Sequence, residues 1–173
     1  KKIAGDLNTD TQSHAAVNVD VLITSTTDLN QIQNETIDVV FTNNFFEHLN
    51  KPDIVQTISE THRVLKPNGR FLILQPNIRY AYKEYWMFFD HITPLDHHSL
   101  SEILEMSGFT IDLCIPRFLP YTSKGRLPKS RTLLKLYLKL PFLHRLIGKQ
   151  LFICAQKTEK NPTLHFTTAT KPC

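Results

Sequence analysis

The stretch "IDVVFTNNFFEHLNKPDIVQTISETHRVLKPNGRFLILQPN", residues 37–77, decides the fold. It opens on the apolar run "IDVVFT" and closes on a second, "RFLILQ". Both are nearly continuous in apolar residues, the pattern of strands covered on both faces of a parallel sheet. Between them Ile54, Ile58, Thr61 and Leu65, joined by Val55 and Val64, fall on one stripe of a helix. Pro52 suits a first helical turn, Asp53 complements the positive helix end, and "KPNG" at 66–69 stops the helix. A strand, a crossover helix and a strand of these lengths make a right-handed βαβ unit.

Outward from this unit, "KKIAG" (1–5) and "VDVLIT" (19–24) are strand candidates, the first ending at Asp6. Downstream, residues 77–95 hold Tyr80, Tyr82, Tyr85, Trp86, Phe88 and Phe89, followed by Asp90 and His91. A helix is predicted from Asp96, its N-cap, to Ser107, with Gly108 as its stop. "FTIDLCIP" (109–116) reads as a strand and "KQLFICAQK" (149–157) as the last one. Between them, "SRTLLKLYLKLPFLHRLIG" (130–148) reads as basic amphipathic helix broken near Pro141. The tail 158–173 is polar, carries two prolines and reads as disordered. Alternating strands and helices imply an α/β sheet whose site lies at the C-terminal ends of its strands.

At 173 residues the chain fits one domain with a real core. Its 41% hydrophobic and 21% charged content is ordinary for a soluble protein, and no apolar run is long enough to span a bilayer. The start, "KKIAGDLNTD", lacks the apolar stretch of a signal peptide, so a cytoplasmic location is expected. The net charge of +4 is concentrated in residues 117–149, which contain no Asp or Glu. That local surplus does not point to nucleic acid; it fits either a solvated covering helix or one lying on an anionic membrane. Cys114, Cys154 and Cys173 form no disulfide framework, and the first two read as reduced core residues. No cysteine partners the histidines at metal spacing, so no metal site is expected.

The strand ends select the candidate chemistry. Asp6 could accept both hydroxyls of a ribose, or could be a turn residue continued by Asn8. The hydroxyls of Ser25, Thr26 and Thr27 could meet an adenine edge, or form an ordinary loop. "TNNFFEHL" (42–49) is the sharpest signal: Asn43 and Asn44 at a strand mouth, Phe45 and Phe46 as walls, and Glu47 beside His48. A histidine is the usual general base near neutral pH, though a lone one is more often a packed or capping residue. The aromatic segment 77–95 is a lid over a substrate or a small satellite core, with His91 a second candidate base.

Residues 37–77 resemble the region from the fourth to the fifth strand of class I S-adenosylmethionine-dependent methyltransferases. Asp38, Glu47, His48, Arg63, Lys66, Pro67 and Gly69 stand at the spacings of that family's "D-V-V", "E-H-L" and "R-V-L-K-P-x-G" motifs. The resemblance extends over residues 2–157, which would be a partial Rossmann-like domain with a mostly parallel sheet and an antiparallel last strand. It implies S-adenosylmethionine as cofactor, with Asp6 and Leu7 at the ribose, Ser25, Thr26 and Thr27 at the adenine, and Thr42, Asn43 and Asn44 at the methionine and sulfonium. Tyr80, Tyr85, Trp86 and Asp90, in 77–95, would hold a small-molecule or lipid-linked acceptor. His48 and His91 would be the bases if the acceptor must lose a proton.

Two departures qualify it. Many members have Asp where this chain has Ser25. The family also begins with a strand and a glycine-rich turn, and none of the five glycines here forms that turn. In the family's sheet that strand lies between the second and the fourth. Its absence would leave two edges without partners, and implies an incomplete fragment. The expected activity is methyl transfer, with a degenerate α/β binding module as the alternative. Asp6 would also suit a nicotinamide-dependent oxidoreductase, but the "EHL" and "RVLKPNG" pair argues against one.

Overall fold

A computed structural model describes residues 1–121 and 130–158. The elements are β1 (Ile3–Asp6), α1 (Thr11–His14), β2 (Asp20–Ile23), β3 (Ile37–Asn43), a 3-10 turn (Phe46–His48), α2 (Lys51–Val64), β4 (Leu65–Pro76), α3 (Ile78–Tyr85), α4 (His97–Met106), β5 (Phe109–Ile115), α5 (Arg131–Leu138), α6 (Pro141–Ile147) and β6 (Gln150–Lys157). They build two sheets: parallel β1-β2, and a four-stranded sheet in the order β3-β4-β6-β5. β3 and β4 are parallel, and β6 runs antiparallel to both its neighbours.

The βαβ unit forms as its sequence requires. Asn50 caps α2, its Oδ1 accepting the Asp53 N–H at 2.9 Å, and Pro52 lies in the first turn. Ile54 and Ile58 of α2 and Leu100 and Leu104 of α4 pack on Phe71, Ile73, Leu151 and Ile153. Truncating Phe71 to Ala would cost about 3–5 kcal/mol.

The "RVLKPNG" segment is a structural device. Arg63 donates to the carbonyls of Leu29 and Ile32, to Asn34 and to Glu60, tying the loop after β2 to α2. The pairing of β3 with β4 jumps from Ile37↔Leu65 to Val39↔Arg70, so residues 66–69 loop out. Asn68 there has φ 63°, and a Cβ on Gly69 would lie 2.8 Å from the Lys66 carbonyl oxygen. Lys66 pairs with Asp38 of β3 at 2.6 Å across this bulge.

Two expectations are corrected. The strands are not covered on both faces: Val39 is 50% and Phe41 58% exposed on β3, and Leu113 of β5 is also exposed. Among the described strands, β1 and β3 do not pair. Residues 77–95 are not a continuous irregular lid, because α3 occupies their first half, capped by Asn77. "KPNG" follows the end of the helix, as expected, and forms the bulge near the start of β4. The disorder expected for the tail lies outside the described residues, Thr158 excepted.

The expected helix break is at Pro141, which opens α6, and Gly108 stops α4 with φ 87°. Asp96 caps α4 in a capping box with Ser99. Cys154 is buried, Cys114 half-buried, and both are free thiols.

Candidate active site

Three strand ends meet on one side. Asn43 ends β3, Pro76 ends β4, and β6 begins opposite it at Gln150. Asn44 turns the chain there with φ 47°. Its N–H donates to the Leu74 carbonyl at 2.8 Å, and its Oδ1 accepts from Gln150 Nε2 at 2.7 Å. The 3-10 turn then buries Phe46 edge-on against Phe71. That anchor aims Glu47 and His48 at the strand mouth.

Glu47 is 1% exposed, and neither carboxylate oxygen has a hydrogen-bond partner. Burial pushes its carboxyl up to about 7. Its carbonyl accepts the N–H groups of Ile92 and Thr93, which fixes the loop carrying Asp90 and His91 over the mouth. His48 Nδ1 lies 3.1 Å from Asp90 Oδ2 and 3.2 Å from the Asp90 carbonyl oxygen.

His91 is 6% exposed, and its Nδ1 has no partner. Its ring stacks on Phe88 at 4.8 Å and lies 4.9 Å from His48. Burial lowers its pKa. Together with Asn44, Tyr121 and Gln150 these groups line a cavity of about 470 Å³. Glu47, His48 and His91 each offer a ligand atom, and the three atoms lie within 4.8 Å of one another.

Of the proposed cofactor residues, Asn44 lines this cavity, and Asp6, Leu7, Ser25, Thr26, Thr27, Thr42 and Asn43 are not among its lining residues. Asp6 ends β1, exposed, with Oδ1 accepting the Asn8 N–H at 2.9 Å and Oδ2 the Thr11 hydroxyl at 2.7 Å. Those bonds, the Asn8 one foremost, lower its pKa and keep it a carboxylate. Leu7 is exposed. Ser25 and Thr27 hydrogen-bond each other at 2.7 Å, and Thr26 pairs with Thr57 of α2 at 3.0 Å. Thr42 Oγ1 is buried without a partner, while Asn43 is exposed at the end of β3.

The acceptor residues divide. Asp90 lines the cavity. Tyr85 does not: it is wholly buried, and its hydroxyl donates to the Thr93 carbonyl at 2.6 Å. Trp86, 58% exposed, lies edge-on to Tyr85 outside the cavity. Tyr80 lines a different, largely apolar cavity of about 680 Å³ beside α6, where Arg117 sits 4.9 Å over its ring. The buried, unpartnered titratable groups Glu47 and His91 are in the cavity of about 470 Å³, whereas the larger one is lined by Tyr80, Arg117, His144 and Arg145. Tyr121 and Gln150 escaped the sequence reading because only the β4–β6 register and the chain's exit from β5 bring them in.

Residues 3–73 match the family model described as "Methyltransferase domain". The chain shares its fold with solved S-adenosylmethionine-dependent methyltransferases. A methyltransferase from Archaeoglobus fulgidus dependent on S-adenosylmethionine is similar with TM-score 0.67 and 21% identity, over 90% of this chain and 75% of that one. One from Methanosarcina mazei gives TM-score 0.65 and 14% identity, over 91% and 82%. A Thermotoga maritima protein described as a possible histamine N-methyltransferase gives 0.65 and 14%, over 91% and 73%. No curated protein sequence matches the chain at a significant level. The methyltransferase fold, with its antiparallel β6 between β4 and β5, agrees with the expected sheet.

Proposed function

We propose that the protein transfers a methyl group from S-adenosylmethionine to an acceptor bound in the cavity of Glu47, His48, Asp90 and His91. The observation that carries this reading is that cavity's place at the C-terminal mouth of β3 and β4, where open α/β sheets bind their ligands. The residues present fit the cofactor: Asp6 is an exposed carboxylate at a strand end, and Thr42 has a buried hydroxyl without a partner. Asp6 and Leu7 would hold the ribose, Ser25, Thr26 and Thr27 the adenine, and Thr42, Asn43 and Asn44 the methionine part.

When bound, the cofactor supplies a methyl group on a cationic sulfur. The protein aligns the acceptor and excludes water. His48, oriented by Asp90, and His91 stand where an acceptor's proton would be taken up.

The free edges of β1 and β3 and the bare Val39 and Phe41 favour one further strand between the two sheets, completing the cofactor site. Calorimetry with S-adenosylhomocysteine tests this on the chain and on a version extended upstream. Binding by the extended version supports the reading. An extended version that folds without binding overturns it in favour of a non-catalytic module.

The acceptor is a small or lipid-linked molecule reached from an anionic membrane surface. On α5 and α6, Leu133, Leu134, Leu136, Phe142 and Leu146 are each about half exposed or more, interleaved with Lys135, Lys139 and Arg145. None of the helices described is long and apolar enough to cross a membrane. A cytoplasmic location belongs to the same reading.

A further inference from the structure

We propose that Glu47, His48 and His91 form a binding site for one divalent first-row transition-metal ion, for which zinc is the probe. The three ligand atoms lie within 4.8 Å of one another, so side-chain shifts of about 1 Å bring them to the roughly 2.0–2.2 Å bonds of a single ion. One carboxylate and two imidazoles is a donor set such ions take, and three protein ligands leave a position open to an incoming molecule. Here the open position faces the cavity lined by Asn44, Tyr121 and Gln150.

Burial gives the second, independent reason. Glu47 and His91 are 1% and 6% exposed, and Glu47 Oε1 and Oε2 and His91 Nδ1 have no hydrogen-bond partner. Buried polar atoms are normally paired, and an unpaired buried carboxylate is costly. A cation between them supplies the missing partner for both groups at once.

The surroundings suit a ligating histidine. Asp90 Oδ2 lies 3.1 Å from His48 Nδ1, so the carboxylate holds one nitrogen and Nε2 is the one that ligates. A carboxylate behind a metal-bound imidazole sets its tautomer and raises its basicity. Phe88 and Tyr85 pack on the His91 ring and restrict its rotation. With an ion bound, both imidazoles serve as ligands and no longer as bases.

The site stands on these side chains whether or not the cavity carries out methyl transfer, and zinc binding is read separately from S-adenosylhomocysteine binding. The test is calorimetric titration of the chelator-treated chain with Zn²⁺ alone, paired with Co²⁺ absorption to report imidazole ligation. One ion per chain is expected. E47Q and H91Q should each weaken zinc by more than the roughly 10–100-fold that a lost outer partner costs, and D90N by about 10-fold. His98 lies outside the cluster, so H98Q should leave affinity unchanged. E47Q removes a buried ionisable group without changing volume, and a thermal melt without zinc should show it at least as stable as the parent. Absence of stoichiometric zinc uptake, affinity unaffected in both E47Q and H91Q, or loss of binding in H98Q would overturn the proposal.

Discussion

Asp90 holds His48 through two acceptors: its Oδ2 and its carbonyl oxygen lie 3.1 Å and 3.2 Å from the same nitrogen, Nδ1. Two acceptors on one nitrogen require that nitrogen to carry the proton. In the neutral, metal-free protein His48 is therefore the Nδ1–H tautomer. Side-chain nitrogen NMR should show a single tautomer for His48. D90A leaves only the weaker, neutral carbonyl acceptor and should raise the share of the Nε2–H tautomer above the parent's; an unchanged spectrum would count against the carboxylate's role.

Arg63 offers a stability test. Its guanidinium serves Leu29, Ile32, Asn34 and Glu60 together, a set that an ammonium group cannot reproduce. R63K should therefore destabilise the chain by about 2 kcal/mol and lower the thermal midpoint by several degrees. Limited proteolysis should cut first within residues 29–34. A midpoint equal to the parent's would show that the loop is held by other contacts.

Phe41 and Phe71 lie on opposite faces of adjacent strands, one 58% exposed and the other fully buried. In this chain Phe41→Ala should cost under about 1 kcal/mol and Phe71→Ala about 3–5 kcal/mol by denaturant unfolding. If a further strand joins β3, the cost at Phe41 should rise in the extended version. Equal, small costs in both versions would argue that the face stays bare.

The α5–α6 face should bind vesicles containing phosphatidylglycerol and not pure phosphatidylcholine vesicles. K135E with R145E should remove binding, because both cations lie among the exposed leucines and Phe142. Binding independent of lipid charge would disprove the electrostatic part.

The sequence by itself determined the βαβ unit, the six strands, the helices α2 and α4, the first turn at Pro52, the cap at Asp96, the stop at Gly108 and the break at Pro141, but not α1 or α3. These depend on local periodicity, turn chemistry and backbone conformation, which are written residue by residue. It also marked Glu47 and His48, since a strand mouth is readable from where an apolar run stops. Tertiary structure decided the rest. The antiparallel entry of β6 brings Gln150 to Asn44, and the carbonyl of Glu47 fastens the loop that returns Asp90 and His91 to His48. It made Tyr85 a core residue, left Trp86 outside, and separated Tyr80 into another cavity. It also left β3 uncovered, though the residues of β3 read as a doubly buried strand. Periodicity records which face a side chain prefers to bury, whereas burial itself depends on what packs there, and that is a property of distant chain.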